Sequence, residues 1–404
     1  MENIENKTSV KTIFKQSRPT ICFATMCKNE EHCIQDTLES VYKYIDYWVV
    51  SDTGSTDNTR EIVETFFKEK GIPGELHKDE WVGFDVNKTT LFKHCYKKAD
   101  YILHLDADDL IQGYFSFTNE DAGKLQYQCW AKRGENSTFK YKVSLMFYNH
   151  VHWKFCGVAH TKIRCLDEAI TKYSGFGTLT HKNFIMISRD TGNRSTDPEK
   201  YYKDALKLTE QFFNTLIDDP DGLNNRSVFY TAQSYHDCSD FKNSAKWYSL
   251  YLRLKDTWVE EVFESHLKLG NIFQMLGTYS FEKIENEYLI AMNMFPDRAE
   301  PYFYLGKFYN HQKEWSKGYD ILSKATEIQL VNAKKKYMLF INERAYEKYL
   351  FDELSVSCFW LGKYQEGKAI LEKIINDNDF AEHKERLLRN MMYFNEKIQQ
   401  AATI

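Results

Sequence analysis

The stretch YILHLDADD, residues 101–109, decides how this chain is read. A run of mostly apolar and aromatic residues ends abruptly in Asp106-Ala107-Asp108, with Asp109 directly behind. Tyr101 to Leu105 reads as a buried strand at the centre of a parallel sheet. Two carboxylates one residue apart at its carboxyl end stand where open α/β sheets bind their ligands. Hard oxygen donors of this kind suit Mg2+ or Mn2+, which can then bridge to phosphate oxygens. An acidic strand exit with no function would look the same, so the flanking sequence has to decide.

Upstream, strand and helix signals alternate. Thr20–Met26 reads as a strand, Glu31–Tyr44 as a helix, Tyr47–Ser51 as a strand and Asn58–Lys70 as a helix. A short strand at Glu75–Lys78 and a helix from Val86 to Lys98 lead into the aspartate-bearing strand. Such alternation predicts βαβ units and a parallel sheet. Downstream, from Tyr127 to Phe184, short strand-like pieces such as KYKVSLMFY and WKFCGVAHTKI complete the same domain.

Near Ser195-Thr196-Asp197-Pro198 the character changes, and Asp197 with Pro198 reads as a helix start. Beyond it nearly everything is helical. Between about 225 and 375 a loose repeat places aromatics at the inter-helix turns. These are Phe241, Tyr279, Trp315 and Tyr364, spaced by 38, 36 and 49 residues. The first two intervals fit a helix–turn–helix repeat of about 34 residues, and the third an irregular one. Such units bury their apolar faces only by stacking, so a curved solenoid is expected, its aromatics mainly core. The predicted organisation is a tail over 1–17, an α/β domain over 18–195, a helical repeat domain over 196–395 and a tail over 396–404.

With 404 residues the chain has room for two cores. At 43% hydrophobic and 27% charged its composition is that of a soluble globular protein. A net charge of −5 gives no electrostatic reason to expect nucleic acid. No stretch has the apolar length of a membrane span, and MENIENKTSVKTIFKQSRPT lacks the core of a signal peptide. Nine cysteines without a Cys-x-x-Cys pair suit reduced, buried thiols and a cytoplasmic location rather than structural zinc.

Two further loops should lie beside the aspartates at the same sheet edge. After the first strand comes Thr25-Met26-Cys27-Lys28-Asn29-Glu30-Glu31, and after the second Asp52-Thr53-Gly54-Ser55-Thr56-Asp57-Asn58. Gly54 permits close backbone approach, while Thr53, Ser55 and the following helix amides can donate to a ligand. Asp52 could accept from a base N–H, and Glu30 or Asn29 could meet a base or ribose edge. Asp57 is expected to cap the next helix.

FATMCKNEE, VVSDTGSTDNT and LHLDADD, in this order and spacing, resemble the family 2 glycosyltransferases of the GT-A fold. The helical array narrows the resemblance to members with tetratricopeptide-like repeats. WVGFDVNKT, WKFCGVAHT, RDTGNRSTDPEKYYKDA, FYTAQSYHD and WVEEVFES strengthen it, over most of residues 18–280. It implies an α/β GT-A domain with a Rossmann-like, mostly parallel sheet, followed by an all-α TPR-like solenoid. It also implies a nucleotide-sugar donor (UDP-sugar favoured), Mn2+ or Mg2+, inversion at the anomeric carbon, and a protein or glycan acceptor. The solenoid could also mediate a homodimer.

By position, the resemblance places a donor site at Thr25, Cys27, Asn29, Glu30, Asp52, Gly54, Ser55, Asn87, Lys88, Asp106, Ala107 and Arg194. Within it, Asp52 and Glu30 would hold the nucleobase, Asp106 the ribose or the metal hydration shell, and Asp108 the metal. His160 or His181 could complete the metal shell. Two departures stand out: Asn87-Lys88 where the family often has Asn-Arg, and His160-Thr161 where it often has His-Glu. Inversion needs a base, and Asp190, Glu168, Asp167 and His160 are the candidates. Trp81 and Trp153 are either sugar platforms or core. The loop Arg189–Arg194 is either a linker or a lid that sets Arg194 on the diphosphate. Two rival readings are a nucleotidyltransferase, disfavoured because CKNEE is no glycine-rich phosphate loop, and a catalytically degenerate domain serving as a protein-binding scaffold.

Overall fold

The computed structural model describes residues 18–134, 139–167, 170, 175–179 and 183–402. It divides into two compact units, Met1–Cys238 and Ser239–Ile404.

The first unit is built on a mixed sheet. Its strands are β1 (Ile21–Cys27), β2 (Tyr47–Asp52), β3 (Gly74–Lys78), β4 (Tyr101–His104), β5 (Leu110–Gln112), β6 (Gln126–Arg133), β7 (Phe139–Tyr148) and β11 (Ile185–Ser188). They run in the order β3-β2-β1-β4-β7-β6-β11-β5, with β10 (Phe176–Thr178) paired parallel to β6 off this path. The half made of β3, β2, β1 and β4 is parallel, and β7 joins it antiparallel to β4. Between these strands lie helices α1 (Ile34–Val41), α2 (Thr59–Lys70) and α3 (Phe84–Cys95). Each turns one stripe inward at helical spacing, as with Ile34, Thr37, Leu38 and Val41 of α1. Phe23, Val49, Val50, Ile102 and Leu103 are fully enclosed between the helices and the remaining sheet. At the outer edge the Trp48 ring stacks on Phe67 at 4.7 Å and lies across Gly74. A Cβ there would stand 2.3 Å from the indole, so only glycine lets β3 reach β2.

A separate antiparallel hairpin, β8 (Trp153–Cys156) with β9 (Lys162–Cys165), carries the next two helices, α4 (Lys200–Asn214) and α5 (Asn224–Asp237). Lys154 and Arg164 both pair with Asp221 in the α4–α5 turn, Lys162 donates to its carbonyl, and Gln211 accepts from the Val158 amide. These bonds draw α4 and α5 into the first unit. The first compact unit thus ends at Cys238, whereas the sequence change near residue 195 falls inside it.

The second unit is a succession of helical hairpins: Val259–Leu276 with Phe281–Met294, Glu300–His311 with Trp315–Ala325, and Lys348–Trp360 with Tyr364–Ile374. Small residues set the spacing within a hairpin. A Cβ on Gly270 would lie 2.6 Å from the Tyr288 ring, and one on Gly306 2.4 Å from Leu322. Tyr248, Tyr251, Phe263, Tyr288 and Phe308 are fully buried, so these aromatics are core. The interval of 49 residues has a physical cause: a helix at Leu330–Lys336 and a short extended segment, Ile341–Asn342, are inserted between two hairpins. The stretch expected to be a tail from 396 is helical as far as Ala402. All nine cysteines are free thiols. Among the described residues no helix is long and apolar enough to cross a membrane.

Edge strand β3 carries an acid-sensitive contact. Glu75 accepts from Lys98 and, at 2.7 Å, from the Tyr47 hydroxyl, and it pairs with His77 at 3.0 Å. Chiefly through Lys98, its carboxyl falls from an ordinary 4.5 to about 2. A depressed carboxyl stabilises the fold above its unfolded value and loses that contribution as pH falls through the folded one. The stability lead of wild type over Glu75→Gln should thus be full at pH 5 and shrink steadily towards pH 2. Urea titrations at several pH values measure it, and a lead that is constant with pH would contradict the assignment.

Candidate functional site

The carboxyl ends of β1, β2 and β4 lie side by side, with Cys27 opposite Asp52 and Ala24 opposite His104. The loops that leave them are bonded to one another. Thr53 donates to the Cys27 carbonyl through its amide (2.9 Å) and hydroxyl (3.2 Å). The Asn29 amide donates to Ser55 Oγ (2.9 Å), and Asn29 Oδ1 accepts from the Thr56 amide (2.8 Å). Asp57 stands one residue before the α2 N-cap, Asn58, and accepts from the amides of Thr59 and Glu31. It joins the two loops as well as supporting the helix start.

Several expected donor-site groups are engaged in this scaffolding. Asp52 is 1% exposed, and both its oxygens accept from the Ser55 amide (3.1 and 3.2 Å), with Arg60 at 3.8 Å. It shapes the turn around Gly54, whose φ of +106° favours glycine. Asp52→Ala is expected to destabilise the first unit by about 1–3 kcal/mol, because the Ser55 amide then lacks its acceptor. Chemical unfolding checks this. Asn87 is buried and fastens the preceding loop, accepting from Val82 and Gly83 and donating to Glu80. Thr25 is enclosed within β1, its hydroxyl without a hydrogen-bond partner among the described residues.

The groups that do meet line one cleft of about 410 Å³. Cys27, Lys28, Glu30 and Thr53 come from the first two loops, Asp106, Ala107, Asp108 and Asp109 from the third, and Trp81 and Phe84 from the loop before α3. Ser188–Asp190, Gly192–Ser195 and, from α4, Lys200 and Lys207 close the other side. Lys88 reaches Asp106 at 2.8 Å and holds its carboxyl down at about 2. Asp108 Oδ2 accepts from the amides of Gly192 (2.8 Å) and Thr191 (3.2 Å), while burial pushes its carboxyl up. Asp109 is buried and shifted further up, first by burial and then by its two acidic neighbours. Glu30, raised by burial, accepts from the Asn193 amide at 3.0 Å.

Of the base candidates, Asp190 is in the cleft. Burial would raise its carboxyl, but Arg133 at 2.9 Å and Lys200 at 3.7 Å outweigh that and lower it. Asp167 instead accepts from the His152 amide (2.6 Å) beside the hairpin. His160 does not line the cleft. Its ring stacks on Tyr230 of α5 at 4.2 Å, and its carbonyl accepts from Arg226. Neither a metal-ligating nor a catalytic role for His160 has support in this placement. Glu168 and His181 lie outside the described residues. Trp153 is core, donating to the Tyr148 carbonyl, whereas Trp81 is 40% exposed on the cleft. Arg194 pairs with Asp204 and rests on Phe84.

Asp106 and Asp108 present an all-oxygen donor set to the cleft, which fits a hard divalent cation whose remaining positions go to phosphate and water. Among the described residues a softer group, Glu30, His32 and Cys33, brings its ligand atoms within 4.8 Å. Cys33 donates to Glu30, however, and His32 donates to the Thr191 carbonyl. Sequence reasoning missed Arg133, Lys200 and Lys207. Only Lys200 lies in the junction RDTGNRSTDPEKYYKDA, whose first part, Arg189–Arg194, reads as either a linker or a lid, and Arg133 and Lys207 lie outside it.

Residues 22–115 match the profile of the family described as Glycosyl transferase family 2. The poly-beta-1,6-N-acetyl-D-glucosamine synthase of Staphylococcus epidermidis is 35% identical over 186 residues, which make up 44% of this chain and 42% of that protein. The chain thus spans about two fifths of the length of the curated relative it matches. Among solved structures, S. aureus TarS in complex with UDP is 17% identical, with 66% of this chain and 83% of that one covered and a TM-score of 0.31. A tetratricopeptide repeat protein from Parabacteroides merdae is 15% identical, covering 50% of this chain and 73% of that one, with a TM-score of 0.36.

Proposed function

We propose that the first unit, built on a family 2 glycosyl transferase domain over residues 22–115, transfers a sugar from a nucleotide-sugar to a hydroxyl of a protein or glycan acceptor, with inversion. The observation that carries this reading is the convergence of Glu30, Asp106 and Asp108 on one cleft at the carboxyl ends of β1 and β4. Glu30 and Thr53 would face the nucleoside, with Trp81 and Phe84 as an apolar wall of the same cleft. Asp108, with Asp106, would hold Mg2+ or Mn2+, which when bound supplies positive charge against the departing diphosphate. Lys88 already sets a cation beside Asp106. Asp190 is our choice of base: it lines the cleft, and Arg133 keeps it ionised and fixes its position there.

One observation favours the scaffold reading as an alternative: Lys88 and three backbone amides already engage Asp106, Asp108 and Glu30. Calorimetric titration of UDP, GDP and CDP, with and without Mn2+, separates the two. Transferase function requires Mn2+-enhanced binding of at least one nucleotide. No heat from any of them would leave the scaffold.

A further inference from the structure

Three successive amides, those of Thr191, Gly192 and Asn193, point at two carboxylates from distant parts of the chain. Thr191 and Gly192 donate to Asp108 Oδ2 at 3.2 and 2.8 Å, and Asn193 donates to Glu30 Oε2 at 3.0 Å. The Thr191 carbonyl accepts from His32 at 2.6 Å, so the segment is held from both sides. Its ends are fastened separately. Arg189 donates to the Asp108 carbonyl at 2.6 Å and pairs with Asp36 at 2.9 Å, and Arg194 pairs with Asp204.

We propose that residues 189–194 are an occluding strap, which in the ligand-free protein occupies the carboxylates that the donor and its cation need. This rests on the function proposed above and adds regulation of the same site. The physical reason is local. An amide N–H turns its positive end towards the oxygen it serves, and two such ends meet at Asp108 Oδ2. A cation approaching that oxygen meets their repulsion and finds the lone pairs already engaged. Glu30 is likewise unable to accept from a nucleoside while it accepts from Asn193. Binding of cation and nucleotide is therefore coupled to release of the strap between its two arginine anchors. By linkage, loosening the strap strengthens binding.

Gly192 makes the idea testable. Its φ of −60° is open to alanine, so the backbone itself accepts the change. A Cβ there would meet Asp108 Cγ and Oδ2 at 3.1 Å, so strap and carboxylate must part by a few tenths of an ångström and their hydrogen bonds weaken. His32→Ala removes the outer hydrogen bond and leaves both carboxylates in place.

Mn2+ binding to the full-length protein, read from the electron paramagnetic resonance signal of the free ion, should be about three- to tenfold tighter in Gly192→Ala and in His32→Ala, the scale of one lost hydrogen bond. Hydrogen exchange of the peptide covering 189–196 should be slow in the free protein and at least about tenfold faster with Mn2+ and the bound nucleotide together. Unchanged or weaker Mn2+ binding in both variants, with normal binding in wild type, overturns the strap and leaves the proposed function standing. So does slower exchange on ligand binding, which would mean that the segment closes over the ligand. Absence of Mn2+ and nucleotide binding in wild type and variants alike overturns the function, and the strap with it.

Discussion

Asp108→Asn should abolish cation-dependent nucleotide binding and reduce transfer or donor hydrolysis by about 10²–10³-fold, the scale of losing one preorganised electrostatic stabiliser of developing charge. The substitution preserves shape and an oxygen that can still accept from Gly192, which lies 2.8 Å from the native carboxylate. What it removes is the negative charge that would hold a divalent cation against the leaving diphosphate. Asp106 is a poor substitute, because Lys88 already neutralises it. The decisive comparison is activity against Mn2+ concentration in wild type and Asp108→Asn, with circular dichroism to show that the fold is retained. A variant with ordinary turnover and an unchanged Mn2+ response would remove Asp108 from the metal site and reopen the scaffold reading.

The candidate site is legible in the sequence at its strand ends. YILHLDADD is legible because a parallel strand must be apolar throughout and its carboxyl end must be polar. β4 does end at His104, with the aspartates just beyond it. The partnership of the loops after β1 and β2 follows from the same rule. Side-chain commitments were harder to read, since they depend on groups distant in the chain. Asp52 and Asn87 have the chemistry of ligand-binding residues, yet each is engaged by amides of its own loop. His160 has the chemistry of a metal ligand, but its ring stacks on Tyr230 of α5 and does not line the cleft. The expected division after residue 195 differs from that of the compact units for a related reason. A change from strands to helices marks a change of local structure, whereas the compact unit is set by Asp221 binding back to Lys154 and Arg164.

The largest expected loss of stability lies in the second unit, at the insertion that disturbs the repeat. Arg298 and Glu300 are 0% and 1% exposed and form a two-pronged pair, Nε to Oε2 at 2.9 Å and Nη2 to Oε1 at 2.7 Å. The guanidinium also donates to the carbonyls of Leu339 (3.2 Å) and Phe340 (3.0 Å). Glu300 accepts from the Asn342 amide and the Tyr346 hydroxyl as well. The pair thus fastens the inserted segment to the hairpin that begins at Glu300, and Glu260 holds the same segment through the amides of Met338 and Leu339. Arg298→Ala strands a carboxylate away from water and should cost about 3–5 kcal/mol, more than an ordinary core truncation of the same size. Arg298→Lys should recover little, because an ammonium cannot reproduce the planar fork. Arg298→Met combined with Glu300→Gln should recover most of the loss, since no buried charge then lacks its partner. Guanidinium chloride unfolding of the full chain, followed by helical circular dichroism, tests the series. If Arg298→Ala lay within about 1 kcal/mol of wild type, the insertion would have to be held by its apolar contacts alone.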